Sequence, residues 1–403
     1  MFMNSIVLAS PRRHGQDRDS SSEGIRMSPR AAALLAGSAL LLLTTLPAAA
    51  IEPQAVADAI GAALTKDGKA EASYESAALD GENVVIAGFT LTSGSGAHSV
   101  RFEQAVIESP TEDGAGVFQS PRMTFTGGTA SGGPSGTVGS ATATDVTVLD
   151  PAEVKAGGLA QAILYSAAEI RDVRIARDSE PHELTVERIT LKSSEVVDDA
   201  QQEVAGLVEG LSVSPEMLAR GRFNPEKLGY QALVFDITWD GTLDLAGNAM
   251  TIRDSVLSFR NGGSVSITGT VSNLPDPRVL NDADVAAKVS GVELHDLTIR
   301  YEDNSLLGRL LDLLAGEQGL SRNEYVQQIS AALPFLLAAL THPQFRSELI
   351  QVLGAFLQDP RSLTLTIEPE PPISAGEIRS MARSAPGDLP DRLKASLTAN
   401  APR

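Results

Sequence analysis

Downstream of residue 50 the chain holds four histidines, His98, His182, His295 and His342. No two stand at the short i, i+2 or i, i+4 spacing that lets imidazoles share a zinc ion, and no H-E-x-x-H is present. The chain has no cysteine, which removes disulfides, thiolate metal sites and cysteine nucleophiles together. There is no G-x-S-x-G elbow, P-loop or G-x-G-x-x-G. The glycines of GGTASGGPSGTVGS, residues 127–140, lack the lysine and the strand–loop–helix setting of a phosphate cradle. Acidic clusters at Asp198-Asp199, at Asp282 with Asp284, and at Glu302-Asp303-Asn304 could offer oxygen ligands to calcium. None follows the alternating calcium-loop pattern, and among 51 acidic residues such clusters are expected on a solvated surface. A hydrolytic carboxylate pair meets only in space, so the sequence does not place one. Catalytic residues, cofactor and metal are therefore all read as none.

The remaining candidates are apolar. Leu333, Phe335, Leu336, Leu337 and Leu340 lie in one helical segment and exceed what a single packing face needs. In the favoured reading this helix is sandwiched between neighbouring helices and a sheet. In the other it forms a lid over a groove for an acyl chain or another apolar ligand, with Pro334 and His342-Pro343 as its breaks.

The elements that would carry these residues follow from periodicity. Ile51 to Leu64 is helical, with Pro53 in the first turn and Lys66-Asp67-Gly68 at its end. The period then becomes two: Asp80-Gly81 reads as a hairpin turn, Val84, Ile86, Phe89 and Leu91 as strand residues, and Val100 to Ile107 and Met123 to Phe125 as further strands. Residues 127–140 read as a flexible loop or a weakly ordered connection. Leu233 to Val271 reads as four strands and three tight turns, at Asp240-Gly241, Gly247-Asn248 and Asn261-Gly262-Gly263, with Trp239 in the core beside Phe235 and Ile237. Such alternation implies one buried and one wet face. A short echo, D-[VL]-x-[VI], begins at Asp145, Asp172 and Asp296; each copy is followed by acidic positions, among them Asp150 and Asp178. It reads either as ordinary strand entry or as a stack of similar strand units.

From Asn304 the pattern is helical again. Asn304 or Ser305 caps a first helix, and Ser321 with Glu324 forms a capping box for a second that runs to about Leu340 and breaks near 331–333 ahead of Pro334. A third begins at Pro343 and ends before Asp359. Leu363, Leu365 and Ile367 then alternate as a strand, and Ala395 to Ala399 as a last one. The fold class is α+β, mainly β: antiparallel meander sheets with a C-terminal cluster of about three helices. Divided along the chain, 51–303 is the β region, 304–360 the helical cluster, and 361–403 a return to the same domain.

Bulk properties bound the function class. Apolar residues make up 42% of the chain but aromatic ones only 4%, so the core is aliphatic. A formal charge of −19 repels phosphate backbones and anionic bilayers alike, which argues against nucleic-acid binding. Arg30 followed by the apolar run Ala31 to Leu46, then Ala48 and Ala50, has the form of a signal peptide over 27–50, cleaved before Ile51. Residues 1–26 read as a disordered extension, either upstream of a start at Met27 or as a long n-region. The expectation is a periplasmic or secreted protein with no transmembrane anchor after cleavage.

Leu228-Gly229-Tyr230, Leu297 to Asp303, Leu363 to Pro371 and Leu397 to Asn400 resemble a group of uncharacterised exported proteins of alphaproteobacteria, over roughly residues 165–400. The repeated strand units are more distantly similar to AsmA-type and YdgA-type envelope proteins. Both resemblances imply a periplasmic setting and supply no catalytic residues. The leading expectation is a non-enzymatic scaffold or binding protein for a hydrophobic ligand or an envelope partner. The alternatives are a carboxylate-dependent hydrolase of envelope material and a structural assembly module.

Overall fold

The computed structural model describes residues 51–65, 70–112, 118–133, 135–149, 163–176, 183–193, 201–215, 225–244, 247–275, 289–338, 340 and 342–402. The segment 27–50, the turn at Lys66-Asp67-Gly68, His182, and the acidic positions Asp150, Asp178, Asp198, Asp199, Asp282 and Asp284 lie outside them.

Helix α1 (Pro53–Thr65) precedes six short strands: β1 (Ala70–Ser73), β2 (Ser76–Asp80), β3 (Asn83–Ala87), β4 (Thr90–Ser93), β5 (Ser99–Arg101) and β6 (Gln104–Glu108). After β7 (Thr111–Glu112) come two long strands, β8 (Phe118–Ser131) and β9 (Ser135–Val148). The sheet continues through β10 (Ile163–Leu164), β11 (Ala167–Ala176), β12 (Glu183–Ser193) and β13 (Gln201–Val213). It goes on through β14 (Leu233–Asp244), β15 (Ala249–Phe259), β16 (Gly263–Ser272) and β17 (Glu293–Asp303). Helices α2 (Leu306–Glu317), α3 (Arg322–Leu336) and α4 (Pro343–Gln358) then intervene before β18 (Ser362–Ile367), β19 (Ile373–Ser374), α5 (Ala375–Ser384), α6 (Leu389–Arg392) and β20 (Ser396–Ala399). Every described pairing is antiparallel, and neighbours from β8 to β18 follow chain order, apart from β10, which lies beside β9 next to β11. A meander of this kind needs only short connections and local pairing.

Two apolar clusters pack helices onto the sheet, one under α1 and one on β14 and β15. Under α1, Val56, Ala57 and Ile60 meet Val84, Ile86 and Ile107, all nearly solvent-free. Small residues on the helix let it approach closely: a methyl group on Gly61 would lie 3.1 Å from the Ala72 side chain. Burying each large aliphatic side chain contributes about 1.5–3 kcal/mol. At β14 and β15, Leu228, Tyr230 and Leu233 are buried, with Phe235, Phe259 and the α2 residues Leu306, Leu310 and Leu313 packed around them. The Tyr230 and Phe259 rings stand 4.7 Å apart, and the Arg309 guanidinium caps the Tyr230 face at 4.6 Å.

Several expectations are corrected. Residues 127–131 and 135–140 are not a loop: they are the end of β8 and the start of β9, paired from Gly128↔Val138 to Ala130↔Gly136. Glycine fits there because Gly127 holds a left-handed φ of 64° and Gly128 lies beneath the Phe102 ring. Asp240-Gly241 is not a turn but runs straight on in β14; opposite it the register with β15 slips, and Arg253 is the extra residue of a β-bulge in β15. The predicted four strands are therefore three. Trp239 is half-buried rather than core, its ring resting over Gly206 of β13. Helix α3 ends at Leu336, short of Leu340, and the expected break near 331–333 does not occur: the helix runs unbroken through Pro334, which gives up one backbone donor inside it. It packs against α2 and α4. The capping box at Ser321 and Glu324, and Pro343 in the first turn of α4, stand as read. At α2, Asp303 rather than Ser305 caps, accepting the Leu307 amide at 2.7 Å. No described helix is long and apolar enough to cross a membrane.

Candidate functional site

Most of the polar candidates have structural partners. His342 is the N-cap of α4, its Nδ1 accepting the Phe345 amide at 3.1 Å while Nε2 lies 3.3 Å from Asp391. His295 meets the Ser272 hydroxyl at 2.7 Å, and His98 sits exposed. In the Glu302-Asp303-Asn304 cluster, Glu302 holds Arg300 at 2.9 Å, and Asp303 accepts both the α2 amide and the Tyr301 hydroxyl. The described residues contain no group of three or more His, Asp or Glu arranged to hold a metal. Their buried polar side chains are Ser120, Gln202 and Ser362, none of them a carboxylate.

The short echo has a conformational cause in two of its copies. Asp145 and Asp172 both hold left-handed φ, 50° and 55°, where the regular pairing of their strands is interrupted. At Asp172 the gap falls between Arg171↔Arg188 and Val173↔Val186. Aspartate tolerates this conformation better than a branched residue does. Asp296 differs: it pairs with Thr270, and the neighbouring His295 is the extra residue.

The apolar candidates on α3 are split. Leu333 is buried at 6% exposure, Leu337 and Leu340 are half-buried, and Phe335 and Leu336 are 84% and 69% exposed. They do not form a common lining. Two clefts of about 150 and 100 Å³ lie instead against α1, one beside Tyr74 and the other beside Phe118.

What the structure does bring together is an apolar row running across the whole sheet. It starts under α1 with Ala77↔Ile86, Ile86↔Ala105 and Ala105↔Phe125. It continues through Ala141, Ile170, Ile189 and Val208. Ile237, Leu257 and Val265 extend it, and Tyr301, Leu363 and Ala399 complete it beside the C-terminal helices. Each member faces the next directly across the ladder, so all lie on one face. The adjacent row on the opposite face carries Thr142, Glu169 and Thr190, and farther along Ser266, Arg300 and Thr364.

Helices cover parts of this apolar face: α1 lies over the first strands, α2 over Phe235 and Phe259 of β14 and β15, and Phe356 of α4 meets Tyr301 near the last strands. In between, Ile189 is buried at 8% exposure, Ile170, Val208, Ile237 and Val265 are half-buried, and Leu257 is 45% exposed. Trp239 belongs to the same face, one row along. Sequence alternation suggested a buried face here, and among the described residues the middle strands have none that is fully covered. The signal was available as strand after strand of apolar residues alternating with Ser and Thr. It was obscured because apolar positions step by three at the interruptions: Ile170 to Val173, Val186 to Ile189, Val208 to Leu211.

The polar face is tied by ion pairs. Asp236 of β14 accepts from Arg260 at 2.8 and 2.9 Å and from the Gly210 amide at 2.8 Å. Gly210 is the bulge residue of β13, with φ 65°. Hydrogen bonding from Arg260 holds the Asp236 carboxyl below its ordinary range, helped by the Gly210 amide and opposed by partial burial. Arg188 meets Glu209 at 2.7 Å in the same region.

Comparison with known proteins adds one finding. Residues 256–400 match a family model described as an uncharacterized protein. The match covers the end of β15 through β20, the part of the fold that carries the helical cluster. No curated protein matches the chain.

Proposed function

We propose that this chain is a non-enzymatic, exported envelope protein that holds an acyl chain or a comparable apolar ligand along the open face of its sheet. The observation that carries this reading is the continuous apolar row, with helices packed on parts of it and half-exposed at Ile170, Val208, Ile237 and Val265. A contiguous apolar surface of this extent is unusual on a protein that leaves it wet, and it marks a binding surface. From β11 to β16 the row crosses six strands. At the usual strand spacing that is about 24 Å, suited to one extended chain rather than a compact ligand. The apolar run before Ile51 with its A-x-A ending supports export. A hydrolase would want a desolvated carboxylate, and the described carboxylates on the polar face answer arginines instead. An assembly module would want a long bare edge, whereas the outermost strands β1, β2 and β20 are four or five residues long.

Trp239 is the one tryptophan of the chain and lies on the apolar face, which gives a direct readout. Titration with a fatty acid or lysophospholipid below its micellar concentration is expected to shift its emission saturably to the blue. Mass spectrometry of an organic extract should find co-purifying lipid. No spectral shift together with a lipid-free extract would sink the reading.

A further inference from the structure

We infer that Phe335 and Leu336 form a tip that docks the protein on a lipid bilayer by entering its interfacial layer. Both stand on the last turn of α3, directly after Pro334, 84% and 69% exposed. Two observations point to lipid rather than to a protein partner. The first is charge. From Glu324 to Arg346 the chain contains no Asp, Glu, Lys or Arg between those two residues, in a protein of formal charge −19. A protein interface normally surrounds its apolar anchors with a polar rim, whereas a bilayer penalises every charge carried into it. The second is the backbone. Beyond the helix the amides of Leu337, Ala338 and Leu340 donate to Leu333, Phe335 and Leu337 at 2.9, 3.2 and 3.0 Å. These three donors can leave water with their bonds already made, which lowers the desolvation cost of entering lipid. Because the rest of the molecule is acidic, the docking is apolar and works on neutral lipid without help from surface potential. The tip shares no residue with the apolar row of the sheet, so the two proposals fail separately.

The absence of cysteine allows a single label. With Leu336→Cys carrying a polarity-sensitive dye, phosphatidylcholine vesicles should raise the emission several-fold, and added salt should leave that rise unchanged. The same dye at Ser384→Cys, exposed on α5, should not respond. The double variant Phe335→Ser, Leu336→Ser should co-float with vesicles about tenfold less than the native chain, from the apolar burial lost. Its Trp239 response to apolar ligand should be retained. The inference is overturned if the dye at position 336 ignores vesicles or if the double variant floats as well as the native chain. It is overturned equally if that dye responds to protein concentration alone, which would make the tip a contact between copies.

Discussion

At the scale of single residues, the polar side chains of this protein act mainly to hold strands in register. Asp236 shows how: one carboxylate satisfies the bulge amide of Gly210 and pairs with Arg260. Arg260 is partly exposed, at 40%, so solvent screening limits the pair, and Asp236→Asn should cost only about 1 kcal/mol at neutral pH. The folded carboxyl titrates below its ordinary value of 3.8. The stabilisation is therefore complete above that value and is lost as pH falls through the lower folded one. Denaturant melts of native and variant protein should accordingly run a constant distance apart from about pH 8 to pH 5 and converge below about pH 4. A gap that widened on acidification would show that another group dominates. None of this was legible in the sequence, where Asp236 is one acidic residue among 51. Its role depends on an extra residue in the neighbouring strand.

At the scale of elements, local chemistry was read most easily at the helix ends. The capping box at Ser321 and Glu324 is formed in both directions: the Ser321 hydroxyl accepts the Glu324 amide, and the Glu324 carboxylate accepts the Ser321 amide at 2.8 Å. Ser321→Ala should cost about 1 kcal/mol, measured as a shift in the denaturation midpoint, and Ser321→Asp should restore most of it. Equal loss in both would mean that the hydroxyl packs rather than caps. Glycine-rich residues 127–140 were read less well. Their composition is that of a loop, yet β8 and β9 use it because Gly127 and Gly128 face a left-handed turn of the backbone and an overlying ring. The α3 segment shows a related limit. Spacing identified a helix with too many apolar residues for one packing face, but which of them are buried depends on how α3 sits between α2 and α4.

At the scale of the whole molecule, one sheet face carries the function proposed above, and the two faces can be separated by experiment. Leu257 lies on the apolar row and is 45% exposed, whereas Thr238 of the adjacent strand is exposed on the other face. Leu257→Glu should weaken binding of a fluorescent acyl probe about tenfold or more, because a carboxylate would have to desolvate under the ligand. Its thermal unfolding should barely move. Thr238→Glu should leave binding unchanged. Equal effects from the two would mean that the probe does not occupy the apolar face.

The sequence by itself determined the classes of element and much of their placement: aliphatic residues at period two for an antiparallel meander, helical spacing with caps after residue 304, and no cysteine chemistry. Those are local properties, set by backbone propensity and by side-chain alternation within a few residues. Only the tertiary structure decided that residues from fourteen strands line up in one apolar row, that α1 and α2 cover parts of that face, and that Trp239 stands beside the row half-buried. Cross-strand register and the positions of bulges set that outcome. An extra residue in one strand shifts which side chains share a face, and no periodicity within a single strand carries that information.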